Sequence, residues 1–222
     1  MESWLMAKTR LIIARHGNTF GPNETPTRVG KNTDLPLVES GLEQGRLMGR
    51  YLKEKKLIPD FIFTSNLQRT SQTASQAQGE MGISLELKAL EVFDEIDYGP
   101  DENKTEAEVI ARLGEDALKA WDAEAIVPDG WKFNPDEAIK NWNNFAEDIL
   151  QKHEGKTVLV VTSNGIARFA PYLTGDFEGF RSEYKIKLST GATSLFEHDP
   201  EVSNNWICKE WNVKPEKYFE GS

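Results

Sequence analysis

Cysteine is nearly missing from this chain: Cys208 is the only one. No intrachain disulfide can form, which points to a reducing compartment and a cytoplasmic location. Histidine is almost as scarce, with three residues. No cluster of His or Cys stands at ligand spacing, so neither a metal nor another cofactor is expected. No window approaches the roughly 20 apolar residues that a membrane span requires. Residues 1–8 lack the basic-then-apolar pattern of a secretory signal, and without export the glycosylation sequons at Asn23 and Asn103 carry no meaning. Basic residues are the minority, 26 against 36 acidic, for a net charge of −10. That balance excludes the broad basic face of a nucleic-acid binder. It leaves room for a small anion, because a few arginines focused in one pocket hold a phosphate inside an acidic protein. The acidic run 94–108 has neither the spacing nor the glycine of a calcium loop. Gly155-Lys156-Thr157 resembles the end of a phosphate-binding P-loop. The upstream glycine that motif requires is replaced by Leu150, and the tripeptide precedes a strand, so nucleotide binding is excluded.

What is present fits one domain spanning residues 1–222, long enough to bury a sizeable core. Three stretches share the plan of apolar strand, polar turn and amphipathic helix. The first is residues 9–14, with its helix delayed to 41–55. The second is Phe61-Ile62-Phe63-Thr64, with Ser65 and Gln68 spaced as a capping box for a helix through Ala77. The third is residues 157–161, then Thr162-Ser163-Asn164-Gly165 and a helix through Tyr172. Repeated units of this kind predict a three-layer α/β/α fold with a mostly parallel central sheet. A helical insertion is expected at about 100–152. There Thr105 and Glu108 form a second capping box, and Pro135 opens a helix with Ile139, Trp142, Phe145, Ala146 and Ile149 on one stripe. The tryptophans read as packing residues. Residues 193–196 and 206–213 around a polar turn predict an antiparallel hairpin at the sheet edge.

Chemistry concentrates at the strand ends. Arg15-His16-Gly17-Asn18-Thr19 follows the apolar run Leu11-Ile12-Ile13-Ala14 directly, where open α/β sheets keep their ligands. A neutral imidazole there is a nucleophile towards an anionic centre. The arginine binds the anion, and the glycine lets backbone approach it. The second unit delivers Arg69 one helical turn beyond Ser65, beside a helix N-terminus that favours anions. The third delivers Ser163, Asn164 and another helix N-terminus. Glu95 sits at a turn where an acid faces the pocket. Together these residues suit phosphoryl transfer through a covalent intermediate.

Four ordered motifs resemble the histidine phosphatase superfamily, the group of cofactor-dependent phosphoglycerate mutases and many phosphatases. They are Arg15-His16-Gly17-Asn18-Thr19; Thr33-Asp34-Leu35-Pro36-Leu37 with Ser40-Gly41; Ser65-Asn66-Leu67-Gln68-Arg69-Thr70 with Gln72-Thr73-Ala74; and Glu95-Ile96-Asp97-Tyr98-Gly99 with Lys104-Thr105-Glu106. The resemblance implies a phosphoglycerate mutase-like fold and a set of roles. His16 is the phosphorylated nucleophile, Arg15 and Arg69 clamp the phosphoryl oxygens, Glu95 is the general acid, and Asn18 and Thr19 line the phosphate site. The family carries a second histidine after the third strand, five residues before an arginine. Counting back from Arg168 lands on Ser163, followed by Asn164 in place of the usual glycine. Ser163 and Asn164 are then expected to contact the phosphate more weakly, with turnover reduced about tenfold.

The reading that follows is a phosphomonoesterase hydrolysing a small phosphorylated metabolite or phosphoester, with no nucleic-acid or membrane partner. A non-catalytic phosphate-ligand or regulatory module is the alternative, and a phosphoglycerate mutase ranks third. Arg28 and Lys31 either meet a second anionic group of the substrate or form an exposed basic loop.

Overall fold

Leu11, Ile12, Ile13 and Ala14 are almost completely buried, and so are Val158, Leu159, Val160 and Val161. Runs buried on both faces belong in the interior of a parallel sheet covered by helices. The computed structural model, which describes residues 8–220, places them there. Strands β1 (Thr9–Arg15), β2 (Phe61–Thr64), β3 (Leu87–Ala89), β4 (Thr157–Thr162), β5 (Thr193–His198) and β6 (Ile207–Val213) form one sheet in the order β3-β2-β4-β1-β5-β6. The first four strands run parallel, β5 is antiparallel to β1, and β6 closes the far edge as the predicted hairpin partner of β5. Residues 1–7, most of the stretch read for an export signal, lie outside the described residues.

The period of two along a strand creates the outer layers. Leu11, Ile13, Val158 and Val160 point to one face, where they meet Phe93, Trp121, Trp142 and Phe169. Ile12, Ala14, Leu159 and Val161 point to the other, against Met48, Tyr51, Leu52, Ala74 and Ala77. Helices α1 (Glu39–Glu54) and α2 (Gln68–Met81) cover that second face. The first face is covered chiefly by α5 (Pro135–Lys152), together with α3 (Glu106–Leu113), α4 (Glu115–Glu124), α6 (Asn164–Ala167) and α7 (Phe177–Glu183). A last helix, α8 (Pro215–Glu220), contacts α1. The result is the three-layer α/β/α sandwich. No helix among the described residues is long and apolar enough to cross a membrane.

Local signals act where their partners are local. Thr105 Oγ1 accepts from the Glu108 amide at 3.3 Å while the Glu108 carboxylate accepts from the Thr105 amide at 2.8 Å, so the predicted capping box starts α3. Asn134 accepts from the Asp136 amide at 3.0 Å at the head of α5. The box expected at Ser65 and Gln68 does not form. Helix α2 begins after Leu67, and the Ser65 hydroxyl accepts from the Leu67 amide and pairs with Thr70. Asp34, from a distant loop, caps the helix instead by accepting from the Gln68 amide at 2.8 Å. The helix predicted after β4 stops at Ala167 and gives way to a 3-10 turn over Ala170–Thr174. Pro171 has no amide hydrogen to continue an α-helical ladder. Strand β3 carries too few residues to show a periodic signal in the sequence.

Two glycines of α1 set its distance from α2. A Cβ on Gly49 would collide with the Ala77 carbonyl, and one on Gly45 would press on Gln76. A Cβ on Gly79, on the exposed side of α2, would have nothing within 4 Å. Gly49 and Gly79 are both helical, so propensity alone favours alanine at each by up to about 1 kcal/mol. Urea unfolding should separate them. Gly79→Ala is expected to stabilise the protein, whereas Gly49→Ala should lose about 1–3 kcal/mol to overpacking. Equal gains at both positions would mean that α1 and α2 are not held at backbone contact.

Candidate active site

The turn that ends β1 is fastened at every step. The Arg15 amide donates to the Ala192 carbonyl at 3.0 Å and the His16 amide to the Thr162 carbonyl at 3.0 Å. The Gly17 amide donates to Thr73 Oγ1 at 3.0 Å, and the Asn18 amide to Gln44 Oε1 at 2.8 Å. Three elements and the loop before β5 thus hold four successive residues. Gly17 is required by contact: a Cβ there would strike the Gly41 carbonyl, and one on Gly41 would strike the Asn18 carbonyl. The turn lies directly on the first turn of α1, as close as two backbones come.

This fixes the imidazole. His16 is 7% exposed, and its Nδ1 lies 2.7 Å from the Gly17 carbonyl oxygen. A carbonyl only accepts, so Nδ1 carries the proton and Nε2 keeps its lone pair. Burial pushes the ring well below its usual pKa of 6.5, the positive charges of Arg69 and Arg15 push it further, and the Gly17 carbonyl opposes them weakly. The ring is therefore neutral, and nucleophilic at Nε2, at physiological pH.

The two arginines are held without being neutralised. Arg15 Nη1 donates to the Leu188 carbonyl at 2.8 Å. Arg69, completely buried, donates to the carbonyls of Thr33 at 2.9 Å and Gly30 at 3.2 Å. The Nε atoms of both are buried without a partner among the described residues. Among the described residues neither forms an ion pair with a carboxylate. Glu95 is the carboxyl closest in effect, since its charge opposes the lowering of both guanidinium pKa values by burial. Its own oxygens accept from the Ile96 amide at 2.9 Å and the Gly165 amide at 3.2 Å. Gly165 has no room for a side chain because the Glu95 carboxylate occupies that space.

A cleft of about 440 Å³ opens over these groups. Arg15, His16, Asn18, Thr19, Glu95 and Asn164 all line it. Asn18 accepts from Thr190 Oγ1 at 2.6 Å and donates to Ser40 at 3.2 Å, while Asn164 accepts from the Leu188 amide at 2.9 Å. Arg69 and Ser163 are fully buried and not part of the lining. Arg69 acts on His16 through its charge; among the described residues the Ser163 hydroxyl has no hydrogen-bond partner. Asp94 and Asp97 face elsewhere: Asp94 accepts from the Asn66 amide at 2.7 Å and Asp97 from the Gly99 amide at 2.8 Å.

The helix N-termini expected to receive an anion are already engaged by carboxylates. Asp34 takes the first amide of α2, Asp94 the amide of Asn66 just before it, and Glu95 the Gly165 amide of α6. An incoming anion must therefore be met mainly by side chains. Of the two loop cations left open by the sequence, Arg28 lines the cleft. Lys31 does not: its Nζ lies 3.7 Å from Glu91, in a separate hollow. Tyr98, Glu106, Lys187 and Thr190 also line the cleft, with roles that residue order alone does not reveal. Lys187 and Thr190 follow α7 in a polar loop with no motif that would single them out. Arg168, the anchor of the count to Ser163, is a packing residue stacked 3.8 Å over the Trp121 ring, and burial pushes it down to about 10. Among the described residues no three His, Cys, Asp or Glu side chains gather as a metal site would need.

Known proteins share this geometry's frame. The family model of the histidine phosphatase superfamily, branch 1, matches residues 11–214. A 2,3-bisphosphoglycerate-dependent phosphoglycerate mutase of Chelativorans is 28% identical over 198 residues, covering 86% of this chain and 93% of its own. A mycobacterial glucosyl-3-phosphoglycerate phosphatase superposes with a TM-score of 0.74 at 20% identity, over 93% of this chain and 99% of its own. A phosphoserine phosphatase of Entamoeba histolytica, solved with 3-phosphoglyceric acid, gives 0.70 at 21% identity, over 92% and 97%. At these identities the structural likeness is one of fold.

The charge around His16 is open to direct measurement. In an NMR titration of the imidazole in the free protein, the ring should stay neutral well below pH 6.5. Arg69→Gln should raise the inflection by removing the larger of the two nearby charges. An inflection at or above 6.5 in the unaltered protein would contradict this account of its burial and charge.

Proposed function

The chain belongs to the histidine phosphatase superfamily, and from that premise we propose that it is a phosphomonoesterase acting on a small phosphorylated substrate through a phosphohistidine on His16. The observation that carries the reading is the free Nε2 lone pair of a buried imidazole beside Arg15 and Glu95, under the charge of Arg69.

The steps follow from these groups. The phosphoryl oxygens meet the remaining N–H donors of Arg15, with Asn18, Thr19 and Asn164 around them and the charge of buried Arg69 behind. Nε2 attacks phosphorus as the ester P–O bond breaks, and Glu95 gives its proton to the departing oxygen. Glu95, now a carboxylate, takes a proton from a water whose oxygen displaces the histidine. Inorganic phosphate leaves, and both side chains return to their starting states. The arginines offset charge on the equatorial oxygens throughout. Backbone amides on both oxygens of Glu95 keep the carboxyl in position for its two proton transfers.

Ser163 takes the second-histidine position in this reading. A buried hydroxyl left without a partner costs about 1–3 kcal/mol, and a phosphoryl oxygen within reach would supply the partner. A non-catalytic phosphate binder is the second reading, favoured by the absence of an imidazole at Ser163. Glu95 speaks against it, since binding alone needs no proton donor. A mutase ranks behind both, because it must protect a phosphohistidine from water, and the turn at Ser163-Asn164 departs from the family pattern.

Rapid quenching of turnover should trap an acid-labile phosphoryl group on the protein, and His16→Ala should abolish it. In the same assay Glu95→Gln should slow alkyl phosphates far more than aryl phosphates, whose leaving groups need less protonation. Full phosphate release by His16→Ala would refute the mechanism.

Ser163→Ala should slow release by about tenfold, or about 1.4 kcal/mol. An unaltered rate would show that the hydroxyl never touches the phosphoryl group. Phosphate binding by the unaltered protein without any turnover would favour the binder.

A further inference from the structure

Two cations of the cleft have no part in the chemistry at His16. Arg15, with Arg69 behind it, provides the positive charge that a transferring phosphoryl group needs. Arg28 and Lys187 line the same cleft. In a chain of net charge −10, three cations against the two carboxylates Glu95 and Glu106 give this lining the opposite sign to the chain as a whole. We propose that Arg28 and Lys187 form a second anion subsite, so that the preferred substrate is a phosphomonoester whose leaving group carries its own negative charge, a carboxylate or a second phosphate. The proposal rests on the phosphatase reading and adds the class of substrate to it.

Arg28 is built to stay in place. Its guanidinium lies 5.4 Å from the centre of the Tyr98 ring and 5.1 Å from that of Trp131. Its backbone is tied on both sides: its amide donates to the Lys104 carbonyl at 2.8 Å and its carbonyl accepts from the Asn103 amide at 2.8 Å. One N–H group reaches Glu106 at 2.8 Å, whereas Nε is buried without a partner among the described residues. A planar donor held against two rings loses little freedom when it meets an anion. Glu106 is mostly exposed, so its pairing with Arg28 is solvated and leaves the guanidinium free to bind a second acceptor. Lys187 is the exposed half. Its Nζ lies 3.6 Å from the half-exposed Asp122 carboxylate. A surface pair of this kind contributes about 0–1 kcal/mol, so the ammonium can turn from Asp122 to a substrate anion. Lys31, the other cation of the Arg28 loop, pairs with Glu91 outside the cleft and has no share in the subsite.

The test is phosphate release from two matched pairs: 3-phosphoglycerate against glycerol 3-phosphate, and fructose 1,6-bisphosphate against fructose 6-phosphate. The anionic member of at least one pair should have kcat/KM about tenfold higher, mostly through KM, as a charged hydrogen bond supplies. Preference in the first pair names a carboxylate, and in the second a phosphate. Lys187→Gln, at an exposed position that folding tolerates, should lower kcat/KM several-fold more for the preferred member than for its neutral partner. Arg28→Gln should do the same where it folds. Equal kcat/KM within both pairs, or an equal loss for both members in Lys187→Gln, would overturn the subsite. If no ester releases phosphate, the phosphatase reading fails separately. Calorimetric Kd values for the same pairs then decide the subsite: tighter binding of the anionic member upholds it, and equal binding refutes it.

Discussion

Arg69 in the interior and Arg15 at the cleft floor carry two positive charges with no carboxylate bonded to either among the described residues, and much of the surrounding chain is arranged to make that tolerable. Burying a charge without hydrogen bonds is strongly unfavourable. Here the compensation comes from backbone carbonyls: Leu188 for Arg15, and Gly30 and Thr33 for Arg69. Those carbonyls belong to loops far apart in sequence, so the guanidinium groups also tie the loops together. Bonded to neutral oxygens, the arginines keep their full charge, and it is this charge that, with burial, holds His16 neutral. An anion entering the cleft would meet donors already in place, which is the condition for electrostatic stabilisation of a developing charge.

The acidic residues of the site complement this arrangement. Asp34, Asp94 and Glu95 each accept from a backbone amide at or near the start of a helix. They stabilise the helix ends by the same attraction that would otherwise draw a phosphate there. Anion recognition is left to side chains, where one substitution can tune it. Glu95 has a double place, holding the Gly165 amide while facing the cleft. The room for its carboxylate exists because residue 165 is a glycine. The contacts of Gly17 with Gly41 set the position of the imidazole just as Gly165 sets that of Glu95.

Much of this can be read from the residues in order. The apolar run 11–14 announces a buried strand, and the Thr105 capping box announces α3. The hairpin of β5 and β6 shows in two stretches around a polar turn, and the four motifs lead to the family without the fold. Signals fail where the partner is distant. Ser65 and Gln68 have the spacing of a capping box, yet Asp34 arrives from another loop and takes the amide. The early end of the helix after β4 has a local cause instead, since Pro171 interrupts its ladder from within the predicted span. Arg28 and Lys31 stand three residues apart in one loop, and only the fold sends one into the cleft and the other to Glu91.

By itself the sequence determined every strand of the sheet but β3, most helices, the family and the identity of His16, Arg15, Arg69 and Glu95 as candidates, because each depends on residue type and short-range spacing. The tertiary structure alone decided the proton on Nδ1 of His16, the occupants of the helix ends, the isolation of Ser163 from hydrogen-bond partners, and the membership of Lys187 and Thr190 in the cleft. Each of these depends on which atoms the folded backbone brings together, most of them from remote parts of the chain. Hydrogen bonds and Coulomb forces act over a few ångströms of space, and no pattern along the sequence records which distant atoms will come that close.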